Sequence, residues 1–368
     1  MRYGNGLTPI ISDSTTRLQF YSRTGDAWEA MYCDCLKAKA SIEFEEYIMR
    51  NDEIGRRFLS LFLVKAKEGV AVHLLLDQIG SRSLIFSPQI KQIREHGGTI
   101  TFYNPIPWIH VFMPSTWFPR NHTKTMLIDS RIAYIGSVCL ADYMRDWRDL
   151  YARVTGDLVD SIVQDFAYIW AQAIGVDKIP LRPTASKSAF HYVVAKARLT
   201  PSPVYKELLS EIAQAEKNIY LATPYFMPPL RLRHALLKAI KRGVKVKVMV
   251  TERSDVPLAN LISRSYFPRF IRAGISILSY NKSVFHAKYT VIDDSWATMG
   301  STNIDYLSLL RNREANILIR DPATIAALKH AFIADMVHCI ILSPDVWKDT
   351  PLLSRVVGYL GRAIKRMI

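Results

Sequence analysis

The sequence predicts an α/β protein built from two copies of one unit. Short apolar strand patterns alternate with longer helical patterns along the 368 residues, which is typical of helices layered on sheets. The same order of elements then occurs a second time, and two phrases of sequence recur with it. Because 49% of the residues are hydrophobic, each half can bury a core of its own.

Six elements are predicted in each half from the spacing of apolar residues. In the first half they are a helix near 27–39, a strand at 42–48, a helix near 54–67, a strand at 70–76, a helix near 88–96 and a strand at 99–103. In the second half they are a helix near 204–215, a strand at 219–222, a helix near 230–241, a strand at 244–250, a helix near 257–272 and a strand at 276–280.

The repeated phrases set the boundary between the halves. KEGVAVHLLLD (67–77) is echoed by KRGVKVKVMV (241–250), and IREHGGTITFYN (93–104) by IRAGISILSYN (271–281). Between them, residues 174–203 contain four prolines and show weak periodicity. We therefore expect one unit at residues 1–178 and a second at 179–368, the second ending in an amphipathic tail.

That tail is predicted to be a helix from Leu352 to Ile368. At roughly 100° per residue, its apolar side chains fall on one half of the helical wheel and its Arg and Lys side chains on the other. Such a helix can lie on an anionic membrane surface. It can equally pack on the second domain with its basic face in water, and the sequence leaves both alternatives open.

The charge of the chain favours anionic partners. Lys and Arg number 48 against 33 Asp and Glu, a net charge of +15 that would suit nucleic acid, an anionic membrane or a phosphorylated substrate. The four cysteines fit no zinc-binding pattern, and a reducing compartment explains them most simply. No apolar run reaches the roughly 18 residues of a spanning helix, so we expect a soluble or peripheral protein.

Each half contains the same catalytic pattern, NHTKTMLIDSRIAYIGSVC (121–139) and FHAKYTVIDDSWATMGSTN (285–303). Both have His-x-Lys, four residues, an Asp, and Gly-Ser seven residues later. An acidic residue follows each His after 27 or 28 residues. The candidates are His122, Lys124, Asp129, Ser137 and Asp149 in the first copy, and His286, Lys288, Asp293, Ser301, Asn303 and Glu314 in the second. One copy alone would be weak evidence, whereas two in the same register indicate a catalytic site.

The pattern suits chemistry at a phosphodiester. Strands are predicted at TKTMLI and AKYTVI, and residues two apart in a strand share a face, so His and Lys should project together. Of two imidazoles, one can attack phosphorus while the other protonates the leaving oxygen. The lysines, with Ser137, Ser301 and Asn303, would bind the phosphoryl oxygens. We therefore predict a reaction without metal or cofactor.

Two pairs of acids in this pattern each fit two alternative roles. Asp129 and Asp293 either end a strand and hold a turn, or support the site from behind. Asp149 and Glu314 are expected to orient a histidine, because their offsets match. The alternative for Asp149 and Glu314 is that they are carboxylates on the protein surface.

The doubled H-x-K-x4-D-x6-G-S resembles the signature of the phospholipase D superfamily. IEFEEYIMRNDEIGRRF (42–58), LLLDQIGS (74–81), WRDLYARVTG (147–156) and TPYFMP (223–228) are similar to its bacterial cardiolipin synthase branch. The resemblance implies two repeats, each a mixed sheet flanked by helices, with one active site at their interface. It also implies transfer of a phosphatidyl group from phosphatidylglycerol to a second phospholipid through a phosphohistidine, releasing glycerol, with His122 as the nucleophile. In one departure from the family, Cys139 stands where the second copy has Asn303.

The substrate is suggested by an insertion before the first motif. His286 follows Asn281 after five residues, but His122 follows Asn104 after 18. The extra residues are aromatic and apolar, and Trp108, Phe112, Trp117 and Phe118 are the candidates for lipid or membrane contact. A nucleic-acid loop would more often interleave basic and aromatic residues, whereas Trp-rich apolar loops suit a membrane interface. The alternative is that the insertion folds onto the domain and adds to its hydrophobic core.

We therefore expect phospholipid substrates, an anionic membrane surface as partner and no nucleic acid. The expected location is peripheral, on the cytoplasmic face of a bacterial inner membrane. Two other functions remain open: hydrolysis, as a phospholipase D or a nuclease, and membrane binding with weak catalysis, which Cys139 suggests.

Overall fold

The computed structural model describes residues 10–12, 15–106, 109, 113, 117–176, 188–197, 200–345 and 350–364, without the side chains of 10–12, 363 and 364. The chain forms two eight-stranded mixed sheets flanked by helices. This arrangement confirms the predicted α/β class and the two repeats.

The first sheet contains the first motif. Its elements are β1 (Ile10–Ser12), β2 (Thr16–Arg23), α1 (Thr24–Leu36), β3 (Ser41–Glu46), α2 (Glu53–Lys67), β4 (Ala71–Asp77), α3 (Pro88–Glu95), β5 (Thr99–Tyr103), β6 (Thr125–Ile128), β7 (Ile132–Gly136), β8 (Arg148–Gly156) and α4 (Leu158–Ala173). The strand order is β1-β2-β8-β7-β6-β3-β4-β5. Strands β3, β4 and β5 are parallel to one another, and the other neighbours are antiparallel.

The second sheet repeats this topology. Its elements are β9 (Phe190–Ala195), α5 (Pro203–Gln214), β10 (Asn218–Ala222), α6 (Leu230–Lys241), β11 (Lys245–Thr251), α7 (Pro257–Arg272), β12 (Ser276–Tyr280), β13 (Tyr289–Ile292), β14 (Trp296–Gly300), α8 (Tyr306–Leu310), β15 (Glu314–Ile319), α9 (Pro322–Asp335), β16 (Cys339–Ile341) and α10 (Leu352–Ile364). The order β12-β11-β10-β13-β14-β15 matches β5-β4-β3-β6-β7-β8 of the first sheet.

The repeated phrases of sequence are turns from a helix into a strand. Gly69 and Gly243 follow α2 and α6, with φ of 85° and 93°, and Gly97 and Gly274 follow α3 and α7, with φ of 89° and 99°. A residue with a side chain is strained in this left-handed region, so glycine ends the helix at each place. The valine or isoleucine soon after it then enters the sheet.

A shared core lies between the halves. It includes Leu127 of β6, Val291 of β13, Phe166 of α4 and Phe332 of α9. Helices α4 and α9 were not among the six predicted elements of each half, and neither were edge strands such as β9 and β16. The chain passes from the first sheet to the second between β8 and β9, and the expected boundary at residue 178 lies outside the described residues. In the described part of the chain, no helix is long and apolar enough to cross a bilayer.

Candidate active site

Each His-x-Lys segment lies just before a strand. The predicted strands TKTMLI and AKYTVI are both wrong at their starts, because β6 begins at Thr125 and β13 at Tyr289. The backbone N–H of His122 donates to the carbonyl of Arg313 at 2.9 Å, and that of His286 to the carbonyl of Arg148 at 2.8 Å. Both carbonyls belong to the opposite half, so these segments pair across the interface instead of within their own sheets.

The histidines exchange their carboxylate partners between the halves. Nδ1 of His122 lies 2.9 Å from Oε1 of Glu314, and Nδ1 of His286 lies 2.8 Å from Oδ2 of Asp149. Both carboxylates are buried. The matched offsets along the chain associate each acid with its own motif, but each acid contacts the histidine of the other copy. One site is therefore built from both halves.

Two buried lysines lie beside the imidazoles. Nζ of Lys124 donates to the carbonyl of His122 at 2.7 Å. Nζ of Lys288 donates to the carbonyl of His286 at 2.8 Å and lies 3.0 Å from Nε2 of that residue. Burial lowers the pKa of Lys288 to about 8, with Lys124 acting in the same direction and Asp149 opposing. The cluster can bind a phosphodiester, because both ammonium groups act on one small volume.

The two histidine–carboxylate pairs differ in charge. Burial alone would raise the pKa of Asp149, but His286, Lys288 and Ser137 outweigh it and lower this pKa to about 2. Burial raises the pKa of Glu314 to about 8, although Lys124 and Ser301 oppose it. Near neutral pH, Asp149 is therefore ionised while the carboxyl group of Glu314 retains a proton.

The pKa of each imidazole lies below its usual value, further for His122 than for His286. Burial and then the two lysines lower the pKa of His122 well below its usual value. Burial and Lys288 also lower the pKa of His286, but there Asp149 acts in the opposite direction. A neutral imidazole has the lone pair that a nucleophile needs, and a nearby carboxylate favours the cation that an acid needs.

Aromatic rings contact both histidines. The ring of Tyr47 meets His122 edge-on, with centroids 4.8 Å apart, and Nζ of Lys124 lies 5.1 Å from the centroid of the same ring. Trp147 lies against His286, with centroids 5.1 Å apart. Neither ring was among the predicted site residues, although Tyr47 lies within IEFEEYIMRNDEIGRRF and Trp147 begins WRDLYARVTG, two of the segments that resemble the family.

The two motif serines serve the carboxylates. The hydroxyl of Ser137 donates to Asp149, and that of Ser301 donates to Glu314. A serine has a single hydroxyl proton. The structure thus brings both hydroxyls to the acids that contact the histidines, and their contact with substrate phosphate stays a prediction. Asn303 is buried, its Oδ1 has no hydrogen-bond partner within the described part of the chain, and its contact with phosphate stays a prediction.

The motif aspartates lie at the far ends of β6 and β13, away from the lysines. The carboxylate of Asp129 accepts hydrogen bonds from the backbone N–H groups of residues 39, 40 and 41 at 2.7 to 3.1 Å. Asp293 accepts from those of residues 216, 217 and 218 at 2.8 to 2.9 Å. Of the two roles considered, the contacts match the structural one, and these residues do not join the histidines as catalytic groups.

An acid that sequence reasoning missed lies beside Cys139. Glu46 is fully buried at the end of β3, and burial raises its pKa to about 8, with Lys124 opposing. Burial also raises the pKa of the Cys139 thiol, so a thiolate is disfavoured there. Met49 bridges to Leu140 in the first half, and Phe226 bridges to Ile304 at the matching place in the second half. Three residues before these positions, the first half has Glu46 and the second has Thr223. The signal was a pair of adjacent acids, Glu45 and Glu46, at the end of a predicted strand.

The aromatic insertion is described only in part. Trp108 and Phe112 lie outside the described residues. Trp117 is 40% exposed, and Phe118 is half-buried with the guanidinium carbon of Arg311 5.4 Å from its ring centroid. These exposures do not favour the additional-core alternative for the described residues. Within the described ranges, no group of three or more His, Cys, Asp or Glu side chains is arranged so that it could hold a metal ion.

Comparisons with known proteins identify one family. A family model described as "Cardiolipin synthase, PLD-like domain" matches residues 32–170 and 208–336. A cardiolipin synthase of Alkalihalophilus pseudofirmus is 28% identical over 379 residues, covering 99% of this chain and 74% of that protein. One from Oceanobacillus iheyensis is 33% identical over 354 residues, covering 93% of this chain and 73% of its own length. The crystal structure of a phosphatidylserine synthase from Haemophilus influenzae has the same fold, with a TM-score of 0.78, 15% identity and coverage of 99% of this chain and 96% of that one. The chain therefore belongs to the cardiolipin synthase family with phospholipase D-like domains.

Proposed function

We propose that this cardiolipin synthase-like phosphatidyltransferase moves a phosphatidyl group from phosphatidylglycerol to a hydroxyl group of a second phospholipid, releasing glycerol. The observation that carries the proposal is the exchange of partners between the halves: Glu314 holds Nδ1 of His122, and Asp149 holds Nδ1 of His286. Each contact orients Nε2 as the reacting atom. The relatives named as cardiolipin synthases support the substrates.

In the first step, Nε2 of neutral His122 attacks phosphorus. The bond from phosphorus to the oxygen of the headgroup glycerol breaks. The imidazolium of His286 gives its Nε2 proton to that oxygen, and glycerol leaves. Lys288 lies 3.0 Å from the same nitrogen and has a pKa of about 8, so it can share its proton with His286. Lys124 and Lys288 stabilise the charge on the non-bridging oxygens.

In the second step, neutral His286 removes the proton from the hydroxyl group of the acceptor lipid. The acceptor oxygen attacks phosphorus, the bond from phosphorus to His122 breaks, and the imidazole is restored. If water attacked instead, the product would be phosphatidic acid. The ratio of the two products therefore distinguishes the transferase from the hydrolase.

The test uses His122→Ala and His286→Ala with vesicles that contain labelled phosphatidylglycerol. Each substitution should lower cardiolipin formation by roughly a thousandfold or more, and the double variant should be little worse, because the two residues act as one unit. Wild-type protein quenched during turnover should carry an acid-labile label, which His122→Ala loses. Exposed His96 provides the control, and His96→Ala should behave as wild type.

Near-normal cardiolipin formation by either single variant would contradict the two-histidine mechanism. Phosphatidic acid as the main product of the wild-type protein would instead identify a hydrolase. A label retained in His122→Ala and lost in His286→Ala would reverse the assignment of nucleophile and acid.

A further inference from the structure

One surface of the second half is formed by three helices that contain basic residues and no acidic residue. Helices α6 and α7 connect the parallel strands β10, β11 and β12, and such crossovers have one hand, so the two helices share a face of the sheet. Helix α10 packs against α7. Together the three helices contain nine Lys and Arg residues and no Asp or Glu: Arg231, Arg233, Lys238, Lys241, Arg264, Arg269, Arg272, Arg355 and Arg362.

The three helices meet at Tyr266. The guanidinium carbon of Arg362 lies 4.3 Å from the ring centroid of Tyr266, and that of Arg233 lies 5.5 Å from it. Nε of Arg362 also donates to the hydroxyl of Ser265 at 2.8 Å. At Gly361, a Cβ atom would come within 2.4 Å of Ile262, so glycine allows the close approach of α10 to α7. These contacts dock α10 by its glycine and arginine face.

The apolar face of α10 consequently points outward. Leu352, Leu353 and Leu360 are 72%, 76% and 68% exposed, and Val356 is 44% exposed. An ordinary surface helix buries its apolar stripe and exposes its charges. A row of large exposed apolar side chains marks a surface that contacts something else.

This surface reaches the active site. Helices α6 and α7 begin where β10 and β11 end, and Leu230 and Val256 are exposed at their starts. In the loop before α7, Asp255 accepts a hydrogen bond from the hydroxyl of Tyr225 and lies close enough to His286 to affect its pKa. A layer covering these helices would therefore border the site.

We propose that the surface formed by α6, α7 and α10 docks on a bilayer of anionic phospholipid. The apolar face of α10 enters the headgroup region, and the exposed basic side chains of α6 and α7, such as Lys238, Arg269 and Arg272, meet lipid phosphates. Nucleic acid would use the basic side chains but not the apolar row. The inference deepens the proposed function, since its substrates lie in such a bilayer, but binding does not require turnover.

The experiment measures flotation of the whole chain with vesicles of phosphatidylcholine, with or without phosphatidylglycerol. One variant changes exposed apolar residues, Leu353→Asp with Leu360→Asp. A second changes exposed basic residues, Arg269→Glu with Arg272→Glu. The matched control makes the same change of charge on the first half, at exposed Lys37→Glu with Lys39→Glu. Binding to vesicles with phosphatidylglycerol should fall roughly tenfold or more in both variants and less than about twofold in the control.

Turnover of phosphatidylglycerol dispersed in detergent micelles should remain near wild type in both variants, and the thermal unfolding midpoints should match. His122→Ala protein should float like wild type, so failure of the proposed chemistry would leave this result unchanged. Equal vesicle binding by wild type and both variants would overturn the proposal. So would a loss confined to binding of duplex DNA, which would assign the surface to nucleic acid.

Discussion

At the residue scale, the two histidines have similar geometry but different electrostatic surroundings. Asp149 has a pKa of about 2 and is charged beside His286, whereas Glu314 has a pKa of about 8 and is mostly protonated beside His122. A charged carboxylate stabilises an imidazolium, and a neutral carboxyl group does not. The same sequence pattern therefore produces one histidine suited to act as an acid and one suited to act as a nucleophile.

This asymmetry predicts unequal effects of two isosteric substitutions. Asp149→Asn removes a charge and should lower kcat by roughly a hundredfold or more at pH 7, because His286 then loses the partner of its cation. Glu314→Gln replaces a mostly neutral group and should cost about tenfold or less. Steady-state cardiolipin formation from micelles measures both.

The difference in activity between Glu314→Gln and the wild type should grow as the pH rises. Below pH 8 the wild-type Glu314 is protonated, and glutamine resembles it. Above pH 8 it ionises, so Glu314→Gln and wild type should diverge as the pH rises. If Glu314→Gln lost more activity than Asp149→Asn at pH 7, the charge assignment of the two pairs would be reversed.

At the element scale, the short strands β6 and β13 separate two tasks. The lysine before each strand lies in the site, and the aspartate after it fastens the loop that enters β3 or β10. Three backbone N–H groups that would otherwise lack partners bind each carboxylate, which also lowers the pKa of Asp129 although partial burial opposes this. The motif thus couples the His-x-Lys segment to the start of the neighbouring parallel strand.

We therefore expect Asp129→Ala to affect stability more than chemistry. Loss of the charged acceptor should lower the free energy of unfolding by about 1–3 kcal/mol, measured by urea denaturation at neutral pH. Because the folded-state pKa is lowered, this stabilisation is present above the unfolded pKa and is lost as the pH falls through the folded pKa. The folded variant should retain most of its kcat.

Asp294→Ala is the control, since Asp294 is 66% exposed in its ion pair with Lys329 and should contribute less than about 1 kcal/mol. A loss of kcat of a hundredfold in folded Asp129→Ala, with unchanged stability, would restore a catalytic role to the motif aspartates.

At the scale of the whole molecule, two reciprocal buried ion pairs join the halves. Arg148 of β8 pairs with Asp335 of α9 at 2.6 Å, and Arg313 pairs with Asp165 of α4 at 2.5 Å. The carbonyls of the same two arginines accept hydrogen bonds from the N–H groups of His122 and His286. The same two arginines therefore join the halves and position the histidines of the candidate site.

Breaking one of these pairs should destabilise the whole fold. Arg148→Met leaves Asp335 buried without its cation and should lower the free energy of unfolding by about 3–5 kcal/mol. Arg148→Met with Asp335→Leu should recover part of that loss. Arg23→Ala, in a pair with Asp146 whose side chains are 53% and 80% exposed, should cost less than about 1 kcal/mol. Equal midpoints for Arg148→Met and Arg23→Ala in chemical denaturation would show that the Arg148–Asp335 pair does not stabilise the interface between the halves.

The sequence by itself determined the repeat, most of its elements and the histidines and lysines of the candidate site. The predicted bounds of α6, α7, β5 and β12 are those of the structure, because apolar spacing and turn glycines are local properties of the chain. The histidines and lysines stood out because their spacing occurs twice.

Only the tertiary structure decided which groups meet. His122 and Glu314 are 192 positions apart, and His286 and Asp149 are 137 apart, so no local pattern encodes that they exchange partners. The same holds for the serines, whose protons go to carboxylates, and for Glu46, whose burial brings it beside Lys124. The helical wheel identified the two faces of α10, but its docking by Gly361 and Arg362 decided that the apolar face points outward. Spacing along a chain specifies faces and periods, whereas partners depend on how separately folded layers pack together.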